Sequence, residues 1–170
     1  QKHILRRNIA ANMINIKREQ GDERGVEFWS YVLTVIDVMK HHGMSDEEDE
    51  TEPVMFGNLR LMDQVRIVQE LDWRDSSFSH LFALVDRTPR LETEYFNQTG
   101  KKPMKRLRDH PSRKIVKRKP PKGLPRSFFK PEYLRQKEAF PHEIAALGLN
   151  KNDFEIRDWN GYDPYRSSEN

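Results

Sequence analysis

VEFWSYVLTVIDVMKH, residues 26 to 41, is the stretch whose periodicity decides the fold class. Phe28, Val32, Val35, Ile36 and Met39 recur three or four residues apart, which sets them on one broad stripe of an α-helix, and Trp29 and Leu33 widen it. Gly43 follows as a stop signal. Upstream, residues 2 to 19 place Leu5, Ile9, Met13 and Ile16 on one helical face, with Arg6, Arg7, Lys17 and Arg18 elsewhere. Only the polar break GDERG, residues 21 to 25, separates the two predicted helices, the pattern of an antiparallel helical hairpin. Burying one side chain as large as Phe28 or Trp29 contributes roughly 1.5 to 3 kcal/mol, so this pair is the candidate core. The other use of the second helix, from Phe28 to Met39, is a surface for a second copy or a protein partner.

The rest of the composition limits what such a core has to support. At 170 residues the chain is one domain, or one domain with an appendage, and 35% hydrophobic against 34% charged residues predicts a modest core with long charged connections. Without cysteine there are no disulfides, cysteine zinc sites or thiol nucleophiles. The most apolar window, Phe28 to Met39, is too short to span a bilayer and carries Asp37, so no membrane partner is expected and the location is read as nuclear or cytoplasmic. The net charge of +3 conceals segregation: +2 for residues 1 to 44, −8 for 45 to 100, +12 for 101 to 130 and −3 for 131 to 170.

The acidic segment begins at Ser45, which is followed by six acids in seven residues, SDEEDETE. Residues 45 to 53 read as a solvated acidic loop. Ser45 with Glu48 also fits a capping box, although no apolar periodicity follows. Ser45 ahead of acids has the form of an acid-directed kinase acceptor, a regulatory site where phosphate would add negative charge. The run is also placed to lie against a cationic segment and compete with an external polyanion.

Residues 54 to 99 read as a mixed α/β segment. Val65, Ile67, Gln69 and Leu71 alternate as a strand would, while Leu61, Val65, Val68 and Leu71 keep helical spacing; β-branching favours the strand. A short helix is predicted over Ser76 to Asp86, capped by Asp75 or Ser76 and stopped by Pro89. Trp73 and Arg74 at its entry read as a packed ring and a guanidinium paired with an acid.

Gly100 to Lys130, GKKPMKRLRDHPSRKIVKRKPPKGLPRSFFK, holds thirteen of the thirty Lys and Arg residues, five prolines and one acid, Asp109. Residues 100 to 127 read as a basic connector that has no core of its own. As a nucleic-acid contact, Lys101, Lys102, Lys105, Arg106, Arg108, Arg113, Lys114, Lys117, Arg118, Lys119 and Lys122 would neutralise backbone phosphates and release counterions, without base readout. As an address, KKPMKR and VKRKPPK have the form of nuclear import signals. As a linker, the segment is a charged, proline-stiffened connection.

Residues 128 to 170 form a small C-terminal unit. Leu124, Phe128, Phe129, Tyr133 and Leu134 cluster, Pro131 sits where a helix can begin, and a further helix spans about Pro141 to Leu147. Phe154 to Trp159 alternates as a small strand before the turn-rich tail NGYDPYRSSEN. No HExxH, GxSxG, phosphate loop or GxGxxG is present, and no catalytic residue, metal ligand or cofactor is assigned. Helical geometry would splay the adjacent His41 and His42 by about 100°. A nuclease built from scattered carboxylates is a third functional reading.

Three short motifs carry a resemblance: GMSDEEDE (43 to 50), LDWRD (71 to 75) before a short helix ending in Asp86, and GLPRSFF (123 to 129) closing the basic stretch. In this order they resemble a group of repeat-associated proteins of mushroom-forming fungi, over about residues 26 to 135. The resemblance implies a eukaryotic intracellular setting and a DNA-associated role in a mobile element, and it assigns no activity or site residue.

The expectation is an α+β, mainly α protein, with an N-terminal helical hairpin, a small mixed C-terminal unit and a long basic connector. It is non-enzymatic and bound to nucleic acid, most simply the DNA backbone. The alternative is an interaction or dimerisation module with an import signal.

Overall fold

The stripe on the second helix is spent inside the fold. In a computed structural model, which describes residues 2–45, 47–87 and 104–166, α1 (Lys2–Glu19) packs on α2 (Glu23–Met39) across a three-residue turn. Phe28, Trp29, Val32, Val35, Ile36 and Met39 are all fully buried. The protein is α+β and mainly α, with five α-helices and two small sheets among the described residues. It divides into two compact units. The first takes its described residues from Gln1–Met44, Trp73–Thr88 and Arg118–Asn170, and the second from Ser45–Asp72 and Pro89–Lys117.

In the first unit, Asp22 caps α2, its Oδ1 accepting from the Gly25 N–H at 2.9 Å and its Oδ2 lying 3.1 Å from Lys17 Nζ. The Gly25 hydrogen bond, helped by Lys17, holds the Asp22 carboxyl below its usual pKa against the opposing effect of burial. The ridge that α1 buries is Arg6, Ala10, Met13 and Lys17, whereas Leu5, Ile9 and Ile16 stay only half-buried. Arg6 and Lys17, expected off the core face, enter it because partners wait there. Arg6 donates to both carboxylate oxygens of Asp86, at 3.0 and 2.8 Å, and its guanidinium lies 4.6 Å from the Phe82 ring centre.

Helix α2 ends at Lys40, whose φ is +52°, rather than at Gly43. Gly43 has a different task. A Cβ there would stand 1.8 Å from Met39 Cγ, so only glycine lets the His41–Gly43 turn close over the buried Met39.

Helix α3 (Ser76–Asp86) is capped as expected, with Asp75 Oδ1 accepting from the Ser77 N–H at 3.0 Å. α4 (Pro131–Glu138) and α5 (Pro141–Ala146) each start on proline, which fits a first-turn position whose N–H has no helical partner. The Phe154 to Trp159 stretch is irregular, not a strand, because its aromatics are drawn onto the helices. Phe154 meets Tyr31 and Phe128, and Trp159 meets Phe28 and Tyr31, all with ring centres 5.1 to 6.0 Å apart. Tyr162 and Tyr165 of the tail join the same cluster beside Phe28 and Trp29.

The motif segments meet here. Arg74 bridges to Phe129 in an antiparallel β-bridge, the Trp73 and Phe129 rings lie 5.5 Å apart, and Arg74 Nη1 donates to the Gly43 carbonyl at 2.6 Å. Arg74 also donates to the Ser79 hydroxyl at 3.1 Å.

In the second unit, residues 47 to 53 stand on a largely exposed strand rather than in a loop. β1 (Glu47–Phe56) pairs antiparallel with β2 (Leu59–Val68) over ten register pairs, joined by the two-residue turn Gly57-Asn58. Gly57 takes φ +60°, as a tight hairpin requires. β4 (Lys105–Leu107) adds parallel to β2, giving the order β1-β2-β4, and β3 (Glu70–Leu71) pairs parallel with β5 (Ile115–Val116). Near the turn, Val54, Phe56, Leu59 and Leu61 share one face of the hairpin and are 42 to 74% exposed.

Candidate nucleic-acid interface

The residues expected to meet phosphate are sorted by what the fold does with each. Strand β4 brings Arg106 into register with Arg66 of β2, an arrangement of like charges that is unfavourable alone. The acidic strand relieves it. Glu47 Oε1 accepts from Arg106 Nε at 2.8 Å, Glu47 Oε2 lies 3.7 Å from Arg66 Nη1, and Asp49 Oδ1 accepts from Arg66 Nε at 3.1 Å. Two carboxylates thus neutralise two guanidiniums, and the Glu47 side chain is only 6% exposed. The acidic run and the cationic segment do pair, as one of the sequence readings held, through ordered strands.

Arg113 and Lys114 follow the same logic less tightly. The parallel pairing of β3 with β5 pins the Lys114 backbone, whose carbonyl accepts from the Glu70 N–H at 2.9 Å while its N–H donates to the buried Gln69 side chain at 2.5 Å. From that fixed position the Lys114 ammonium reaches Glu48 at 3.3 Å, and Arg113 reaches Glu70 at 3.7 Å.

In the first unit, Arg118 turns inward and donates to the Met44 carbonyl at 3.1 Å, while Pro120 is buried. Lys119 and Lys122 are exposed. Among the described residues neither has an ion pair, and the same holds for Lys105 and Lys117 of the second unit, both exposed. Arg108 is half-buried and engaged in contacts of its own. Lys101 and Lys102 lie outside the described residues, as does Pro89.

Of the nine expected contacts among the described residues, the cations with neither an acid nor a buried anchor are therefore the lysines at 105, 117, 119 and 122. The arginines are largely consumed. This division has a chemical cause: a guanidinium makes several directed hydrogen bonds in a fixed fork and so recruits internal carboxylates and carbonyls, whereas an ammonium is a hydrated point charge that loses little by staying in water.

Three other sequence expectations change. Ser45 is 5% exposed, so its hydroxyl is not presented to a kinase in this fold. The Phe28 to Met39 face, expected as one possible partner surface, is closed off by burial. His41 and His42 do not splay, because the α-helix has already ended; in the tight turn that follows, their ring centres lie 3.7 Å apart. Among the described residues no three His, Asp or Glu side chains converge as a metal-ligating group. No helix among them is long and apolar enough to cross a membrane.

Sequence reasoning set the acidic run against the cationic segment but did not place Glu47 and Glu48 on a strand, and it missed Glu70 as a partner. The available signal was the hairpin, announced by Gly57-Asn58 between two short β-prone runs, which would have placed the acids on a strand. No protein-family model, curated protein or solved structure matches this chain.

Proposed function

We propose that this protein is a non-enzymatic nucleic-acid-associated protein that meets the phosphate backbone, DNA in the first instance, through Lys105, Lys117, Lys119 and Lys122. The observation that supports it is the contrast within one segment: these four lysines are exposed and have no ion-pair partner among the described residues, while the neighbouring arginines are tied down. Lysines of this kind attract phosphate as point charges and give counterion release without base specificity. The exposed lysines of VKRKPPK also suit an import signal, which agrees with a nuclear location. The DNA-associated role in a mobile element rests on the fungal resemblance alone. The interaction-module alternative loses the surface it was built on, since the Phe28 to Met39 face is buried.

The test is fluorescence anisotropy with a short labelled DNA duplex at low salt, comparing the natural chain with a variant in which all four lysines are changed to Gln. Binding that is lost in the variant supports the reading. Equal binding by the two, or none by either, overturns it.

A further inference from the structure

The same segment carries two further cations in a different condition, and their partners differ in how firmly they hold. Arg106 is fixed: its partner Glu47 is 6% exposed, and separating them would strand a charge away from water. Lys114 and Glu48 are 67% and 54% exposed at 3.3 Å, the kind of surface pair worth about 0 to 1 kcal/mol. Arg113 and Glu70 stand between these extremes, 3.7 Å apart and 24% and 28% exposed. The backbone under Lys114 is pinned by Glu70 N–H and Gln69, so a Lys114 that exchanges one anion for another needs little new ordering.

We propose that Glu48 and Glu70 are an internal mask, occupying Lys114 and Arg113 until a polyanion displaces them, so that the protein's own carboxylates set its affinity for phosphate. This rests on the backbone-binding reading above. A bound phosphate offers Lys114 the same charge contact as Glu48 and adds the release of condensed counterions, which tips an exchange that is otherwise nearly balanced. Glu47 takes no part, because its guanidinium partners are built into the sheet. The mask narrows binding to densely charged polyanions, since a single weak anion cannot outcompete a carboxylate already held in place.

The experiment compares the natural chain with Glu48→Gln, Glu70→Gln and the double variant, in anisotropy titrations of the same duplex across a range of sodium chloride. The double variant should bind about two- to tenfold more tightly near physiological salt, with a salt dependence steeper by up to about 1.8 in the logarithmic slope, the value for two more phosphate contacts at about 0.9 each. Adding Lys114→Gln to Glu48→Gln should remove that variant's gain. Glu155→Gln, which deletes an exposed charge with no described partner, should gain less than Glu48→Gln. A natural chain that binds and loses affinity on removal of its four free lysines, while the double variant shows no gain or only the gain of Glu155→Gln, refutes the mask and leaves the backbone reading standing. Binding by the double variant alone overturns the backbone reading of the natural chain and the mask that rests on it. Absence of binding throughout overturns both. Unchanged melting curves show that the variants keep the fold.

Discussion

Replacing Asp86 by Ala should destabilise the protein far more than loss of an ordinary surface ion pair. The Arg6 guanidinium is held by both oxygens of Asp86, with side-chain exposures of 4% and 9%, and its remaining faces meet Met44 Sδ at 3.0 Å and the Phe82 ring. Removing the carboxylate leaves a positive charge in a site that water barely reaches. Breaking one side of a buried pair costs about 3 to 5 kcal/mol, against about 0 to 1 for an exposed one such as Arg7–Asp37. At about 2 to 4 °C per kcal/mol for a chain of this length, the melting midpoint should fall by roughly 6 to 20 °C. The reverse test is sharper: Arg6→Met combined with Asp86→Leu removes both charges and keeps apolar volume, so much of the loss should be recovered. Circular dichroism melts of the two single variants and the pair complete the cycle. A loss below about 1 kcal/mol in Asp86→Ala, with no coupling between the two positions, would show that α1 and α3 are not locked by a desolvated charge pair and refute the packing described.

Two further perturbations probe the helical hairpin and its end. Asp22 has its carboxyl pKa lowered in the fold, chiefly by the Gly25 N–H, so it adds stability above its unfolded pKa near 4 that drains away as pH falls through the lower folded value. Asp22→Ala should cost about 0.5 to 2 kcal/mol at neutral pH, and urea melts between about pH 5 and 2 should show the variant losing less stability than the natural chain. Gly43→Ala should cost about 1 to 3 kcal/mol by urea denaturation, because the new methyl meets Met39 at its base and Met39 is fully enclosed.

The helical part of this architecture was legible because its information is local. The 3.6-residue stripe of α2, the Asp75 cap of α3 and the prolines opening α4 and α5 are each read from a few neighbouring residues, and the structure places the helices within a few residues of where they were expected. What was not legible depends on partners far along the chain. Arg6 looks like a solvent-facing residue on a helical wheel until Asp86, eighty positions later, is brought to it. The acidic run has no apolar alternation to mark it as a strand, since at Glu47 and Asp49 cross-strand neutralisation takes the place of a buried hydrophobic side chain. For the candidate site the same holds. The sequence displays all thirteen cations alike, and the placement of Glu47, Glu48, Glu70 and the Met44 carbonyl separates Arg106, Lys114, Arg113 and Arg118, already engaged, from the lysines at 105, 117, 119 and 122.

The central claim, that four unpaired lysines present this protein to a phosphate backbone, is tested most directly by the dependence of duplex affinity on salt. A plot of log K against log salt should fall steeply for the natural chain, and changing Lys105, Lys117, Lys119 and Lys122 to Gln should flatten it by up to about 3.6, at about 0.9 for each phosphate contact removed. A slope that is the same with and without those four lysines would contradict the account.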